Sequence, residues 1–345
     1  VALSPWYFLQ HGEPGLTTEA ATLLTFALGG CAATGRNWHA IATGVITVIL
    51  LQEKHTLEGL ATTLPRRELG TLLRFLLLTA VILPVIPNRD FTPFEINPFN
   101  LWLVVVAVSG VSYISYLMRV WLGEDRGLFL AGLLGGAYSS TVTTVVLARQ
   151  SKGKDDCTAG FTGAIVAASG MMYLRLWILL MLFAAPLAQR LTVVFWILGL
   201  AAITLGAALT RYGRNEHDCS LEPRESQRET NPLEMTSAIT FAVIFLSVMI
   251  ATQWVVGRYG NTGVLVLAAI MGAADVDPFI LGLTQTVGAG LALETAALAV
   301  IIAAAVNNLM KGVYAVAFGS QRTGRLSLAL LAAFGALSVG LFMLF

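Results

Sequence analysis

Residues 263–278 read GVLVLAAIMGAADVDP, an apolar run that ends in two aspartates and a proline. A carboxylate near the middle of a membrane span costs about 2.5–3.5 kcal/mol on insertion scales, so Asp275 and Asp277 together require compensation. Residues two apart on an α-helix point about 200° away from each other, and a regular helix cannot aim both at one point. Pro278 offers a way out. It has no N–H to give the carbonyl of Ala274, and its ring crowds that turn. The pattern predicts a break near 274–278 that frees carbonyls and lets both carboxylates converge, as in discontinuous transporter helices. The alternative is that the helix ends here with both aspartates among lipid headgroups, because Gly263 to Asp275 covers only about 20 Å.

The remainder of the chain is equally apolar. Of 345 residues, 56% are hydrophobic and 12% charged, with a mean hydropathy of +0.75; soluble domains carry about 25% charge. The expected fold is all-α, a polytopic transmembrane bundle of about nine to eleven helices, each crossing needing about 20 apolar residues. Candidate stretches lie at 20–35, 38–52, 70–87, 99–121, 127–148, 159–184, 191–210, 235–256, 263–286, 293–318 and 326–345. The first two are short and joined by only Arg36 and Asn37, which fits a re-entrant pair or the remains of a larger N-terminal unit. Polar connectors separate the others, the longest running from Arg211 to Thr230. Basic residues sit in consecutive loops, at Arg119 and Arg126 and again at Arg149, Lys152 and Lys154, so the positive-inside rule returns no orientation. A net charge of +1 points to no polyanionic partner and argues against nucleic acid. Cys31, Cys157 and Cys219 lack C-x-x-C spacing and read as packing residues or loop thiols.

An internal repeat organises the larger part. A shift of 136 residues places Gly127 on Gly263, Gly136 on Gly272, Ala137 on Ala273 and Arg175 on Lys311. A nearly equal shift places Asn97-Pro98 on Asn231-Pro232, each just ahead of an apolar helix. We therefore expect residues 1–92 to be N-terminal helices and 93–345 a transmembrane domain holding a duplicated three-helix unit, at 97–184 and 231–318. Each copy has a glycine-interrupted second helix, with Gly136, Gly272 and Pro278 as the expected breaks, and a third helix carrying one basic residue. Four spans separate equivalent points, so the copies are expected to be parallel. Transporters commonly place their substrate sites between such repeats, near the midplane.

The same shift matches Ser139 to Asp275 and Thr141 to Asp277. Residues 139–144, SSTVTT, thus stand opposite the aspartates, with Ser139, Ser140, Thr141 and Thr144 as candidate oxygen ligands. Hydroxyls in membrane helices also bond to their own backbone or across to neighbours, which is the competing reading. On the third helices Asn307 and Lys311 are four apart and share a face, with Asn308 beside them. Arg175 and Lys311 either neutralise the aspartates, attract an anion, or snorkel to the interface.

Enzyme signatures are absent from the sequence. His11, His39, His55 and His217 have no H-E-x-x-H spacing, and neither a phosphate loop nor a G-x-S-x-G elbow is present. No enzyme activity and no cofactor are expected.

The runs 16–20 (LTTEA), 97–103 (NPFNLWL), 132–136 (GLLGG) leading into 139–141 (SST), 231–234 (NPLE), 272–277 (GAADVD) and 307–311 (NNLMK) resemble bacterial MgtC/SapB-like membrane proteins. More particularly, they look like the longer members, in which a short MgtC-type region precedes a large membrane domain of unknown function, numbered 4010. The resemblance runs from about Leu16 to Arg325. The family's N-terminal helices and their arginine-containing signature are missing, which implies an N-terminal truncation and makes residues 1–92 the remnant of the MgtC-like region. The resemblance implies a multi-pass protein of the bacterial inner membrane and adds little on function.

The residues themselves lead to a secondary transporter or channel for a small ion. Oxygen ligation by Asp275, Asp277 and the 139–144 hydroxyls suits a hard cation rather than zinc or copper, with the metal itself unknown. Two alternatives remain open at this stage: a non-transporting membrane regulator acting through helix contacts, and an anion or lipid-phosphate carrier using Arg175 and Lys311. The expected partners are the lipid bilayer, a small ion and, as an open option, further copies of the chain in a homo-oligomer.

Overall fold

The computed structural model describes residues 16–34, 37–52, 97–122, 127–216, 235–286 and 291–344, with scattered positions between 70 and 89. The apolar stretch 70–87 is therefore only partly described. Of the connector expected from Arg211 to Thr230, residues 211–216 continue a helix, and 217–230, together with Asn231-Pro232 and Cys219, lie outside the described residues. Among the described residues every regular element is helical. Ten α-helices occur, and seven stretches are long and apolar enough to cross a membrane. The chain is a multi-pass integral membrane protein.

Two compact units divide between Gly70 and Thr71, earlier than the expected 92/93 boundary. In the first, α1 (Leu16–Ala33) packs on α2 (Asn37–Gln52). Their apolar side chains, such as Phe26 and Val48, face outward.

The second unit contains α3 (Pro98–Leu122), α4 (Gly127–Gln150), α5 (Thr158–Phe183), α6 (Ala185–Glu216), α7 (Met235–Ala274), α8 (Val276–Thr284), α9 (Leu293–Phe318) and α10 (Gln321–Leu344). Asn97 starts α3 as a capping residue, its Oδ1 accepting from the amides of Phe99 at 3.0 Å and Asn100 at 3.4 Å. Pro98 takes the first helical position, where a missing N–H costs nothing.

α4 does not run straight. Ser139 leaves helical geometry (φ −156°, ψ 104°), and the chain folds back there. Gly135 and Thr143 would be about 12 Å apart along a straight helix, yet a Cβ on Gly135 would lie 2.6 Å from Thr143 Oγ1. Gly132 lies against Ala164, and Gly136 against Ala168. The first arm thus runs parallel to α5, although only residues 151–157 join α4 to α5. A straight α4 would arrive antiparallel. The segment is a helical hairpin that enters and leaves at one end of the bundle, with arms of about 12 residues, or 18 Å.

A second hairpin forms from the end of α7 and α8. α7 turns sharply at Gly260 (φ 58°, ψ −149°), where a positive φ suits glycine, so that Gly263 meets the side chains of Val255 and Tyr259. Beyond the extended residue Asp275 (φ −143°, ψ 120°), Gly282 of α8 packs on Met249. Gly263 and Gly282 would be about 28 Å apart if straight, yet they touch positions on α7 only six residues, about 9 Å, apart.

The two hairpins enter from opposite ends. Glu294, at the start of α9, pairs with Arg190 near the start of α6, which marks the end where α5 finishes. The other end of α9 adjoins the close of α4, because Ser320 N donates to Ser151 Oγ at 3.1 Å and Arg149 lies over the Phe318 ring. α5 and α9 therefore run in opposite directions. The parallel arrangement expected for 97–184 and 231–318 is wrong for a specific reason: the glycine-interrupted segments return instead of crossing, which changes the count of spans by one.

Glycines 163, 170, 199 and 206 bring α5 and α6 into backbone contact. A Cβ on Gly163 would lie 2.6 Å from the Gly206 carbonyl, and one on Gly206 would lie 2.6 Å from that of Gly163. Small residues allow such approach in membrane helices. Tyr173, Phe195, Phe279 and Ala303 belong to the main buried cluster next to this pair. Cys157, expected to be a packing residue or loop thiol, is disulfide-bonded.

Candidate ion site between two hairpin tips

Each hairpin tip is a short gap between two half-helices, so it presents one helical C-terminus and one N-terminus. Ser139 Oγ accepts from Val142 N at 3.4 Å and begins the second arm of the first hairpin. Asp275 Oδ1 accepts from Asp277 N at 3.2 Å and caps α8. Serine and aspartate are favoured caps because their short side chains reach these orphan amides. The carbonyls released at the breaks are taken by side chains of the long helices. Tyr138 O accepts from Arg175 Nη1 at 2.8 Å, and Gly272 O accepts from Asn307 Nδ2 at 3.1 Å.

The tips share a cavity of about 260 Å³. It is lined by residues 138–142 of the first hairpin, 275–277 of the second, Arg175 of α5 and Asn307 of α9, with Ser109 and Ser112 from α3 and Phe241 from α7. Arg175 Nη2 and Asp277 Oδ2 form an ion pair inside it. Asp277 is 8% exposed and Asn307 4%, and Oδ1 of each has no hydrogen-bond partner. Lone buried acceptors of this kind require an explanation.

Several predicted residues thus meet: Ser139, Ser140, Thr141, Asp275, Asp277, Asn307 and Arg175 all line the cavity. Thr144, Asn308 and Lys311 do not. Thr144 Oγ1 donates to Ser140 O at 2.8 Å, a bond back to its own helix. Asn308 Nδ2 donates to the Tyr173 hydroxyl at 2.7 Å. Lys311 is fully buried and neither snorkels nor pairs with the aspartates; its Nζ donates to Met172 Sδ at 3.0 Å and Asn308 Oδ1 at 3.4 Å. Neighbouring asparagines on α9 point about 100° apart, which sends Asn307 to the cavity and Asn308 to α5.

The expected break positions also shift. Gly136 and Gly272 are helical, and their missing side chains admit the backbones of Ala168 and Ala303. The breaks come three residues later, at Ser139 and Asp275. Pro278 sits in the first turn of α8, where no helical partner is required of its nitrogen. Ser109 and Ser112 went unrecognised in the sequence; their i, i+3 spacing on α3 was the available signal.

Among the described residues no three of His, Cys, Asp and Glu come together as a metal-binding group. An ion here would have to use carboxylate, amide, hydroxyl and carbonyl oxygens, the donor set of hard cations.

Residues 106–319 match the family described as Domain of unknown function (DUF4010). An uncharacterized protein of Aquifex aeolicus (strain VF5) is 27% identical over 198 residues, covering 56% of this chain and 84% of that protein. No solved structure matches.

Proposed function

The chain belongs to the DUF4010 family, and we propose that it is a secondary transporter for a small, hard cation, bound between the two hairpin tips. One observation carries this reading: helical hairpins from opposite ends meet at a cavity that holds Asp275, Asp277 and two buried oxygens without donors. Carboxylates inside an apolar bundle are costly, and intramembrane ionisable residues mark ion pathways by default.

We read 97–184 and 231–318 as copies of one element set in opposite directions. Support comes from the extended residues Ser139 and Asp275 and from the matching contacts of Gly136 and Gly272 with a long helix. Inverted repeats with discontinuous helices at the midplane are a recurring transporter plan. A bacterial inner membrane, where ion gradients drive uptake and export, is the location this reading implies. An MgtC-like origin for residues 1–92 is a further part of it and lies outside the matched range.

A polar cavity at the aspartates weighs against a solid regulatory bundle. The engagement of Arg175 with Asp277 and the burial of Lys311 away from the cavity weigh against an anion carrier. The deciding measurement is cation flux into proteoliposomes carrying the purified protein. Accumulation driven by a cation gradient is expected; no flux of Na⁺, Li⁺, K⁺, Mg²⁺ or H⁺ in vesicles shown by thermal melting to hold folded protein would refute the reading.

A further inference from the structure

We propose that Arg175 sets the charge of the cargo, making the cavity a site for a singly charged cation and rejecting divalent ones. The inference rests on the cation site proposed above and goes on to name its valence. The lining side chains carry two carboxylates, Asp275 and Asp277, and one guanidinium, Arg175, leaving one net negative charge. Between apolar helices charge is screened far less than in water, so this balance decides which ion enters. A monovalent cation brings the sum to zero. A divalent one leaves a positive charge uncompensated beside the guanidinium.

Arg175 is a fixed member of that sum. Besides pairing with Asp277 it donates to the Tyr138 carbonyl at 2.8 Å, so it holds both hairpin tips at once. Its bond takes only Oδ2 of Asp277, leaving Oδ1 without a partner. Asn307, 4% exposed, contributes a second buried oxygen without a donor. A small dehydrated cation would complete both. Lys311, the other buried basic residue among the described residues, is outside the cavity on Met172 and Asn308.

The test compares thermal melting of the full chain in detergent across titrations with NaCl, LiCl and MgCl₂ at constant ionic strength, together with proton uptake after a pH step. The wild type is expected to respond to Na⁺, Li⁺ or H⁺ at concentrations at least about tenfold below those needed for Mg²⁺. Arg175→Gln, which removes the guanidinium and doubles the net negative charge, should reverse the order. Arg175→Lys should retain it. Asp275→Asn keeps the cap but neutralises the sum, and should abolish the monovalent response. The assignment is overturned by a wild type that prefers Mg²⁺, by Arg175→Gln with the wild-type order, or by a reversal produced by Lys311→Met instead. Should Arg175→Gln fail to fold, a monovalent response surviving in Asp275→Asn overturns it equally. Failure of the wild type to respond to any cation or proton refutes the cation site itself, a distinguishable result.

Discussion

Ser139 and Asp275 adopt the same extended backbone inside apolar segments, and each caps the half-helix on its C-terminal side. They are the turning points of two hairpins that enter the bundle from opposite ends, and both line one cavity. The polar chemistry of the interior is therefore concentrated where the backbone is least regular, and where freed carbonyls are met by Arg175 and Asn307.

Asp277→Asn should abolish cation flux while the protein still inserts and folds. The amide keeps the size and an acceptor oxygen but loses the charge that faces Arg175. Leaving that guanidinium without its carboxylate should lower stability by about 1–3 kcal/mol. Asp275→Asn should lose flux with little change in melting, since asparagine caps as well as aspartate. Undiminished flux in Asp277→Asn, at matched protein amount, would count against the site.

The hairpin topology predicts sidedness. Single cysteines at Phe129→Cys and Lys152→Cys should react with an impermeant thiol reagent from one face of oriented vesicles, and Gln189→Cys and Ala292→Cys from the other. A straight α4 would place the first two on opposite faces, and that labelling pattern would exclude a hairpin at Ser139.

Close backbone contacts predict steep costs for small substitutions. Gly136→Ala puts a Cβ 2.4 Å from Ala168 Cα, and Gly206→Ala meets Gly163 O at 2.6 Å; each should destabilise by about 1–3 kcal/mol. Gly110→Ala on α3, with nothing within 4 Å, should be neutral or stabilising by up to about 1 kcal/mol. Thermal unfolding in one detergent, with all three variants side by side, checks the contrast.

The Asn308–Tyr173 bond predicts a structural effect separate from the cavity. Tyr173 is 0% and Asn308 0% exposed, so Asn308→Leu removes one partner each from the Tyr173 hydroxyl and the Lys311 amine and should cost about 1–3 kcal/mol in unfolding free energy. Ion selectivity, measured by the same melting titrations, should not change.

Much of this arrangement could be read along the chain because composition and spacing are local properties. Apolar runs locate the helices, and Asp275-Val276-Asp277-Pro278 locates a break to within a few residues. The first break was harder. Gly136 offers the obvious weak point, but its lack of a side chain serves contact with Ala168, and the turn falls at Ser139, whose hydroxyl can cap the second arm. The direction of the chain after each break is not encoded in periodicity at all. A 24-residue apolar segment such as α4 satisfies the length for crossing whether it crosses or returns, and only packing against α5 decides. Lys311 misled for a related reason: a face shared with Asn307 in helical projection is about 40° wide of it in space, enough to turn the amine toward Met172.

The glycines between α5 and α6 have a mechanical consequence. Where two backbones touch through carbonyls and Cα atoms, as at Gly163 and Gly206, no side-chain rotamers exist to absorb a displacement, and sliding one helix would drive rigid peptide groups into each other. The pair acts as a stiff beam, and Arg175 is mounted on it. Gly132 and Gly136 tie the first arm of the first hairpin to the same beam, so a motion that opens the cavity is expected in the arms without such contacts, α8 above all, whose Gly282 meets Met249 at ordinary van der Waals distance, while the guanidinium stays in place.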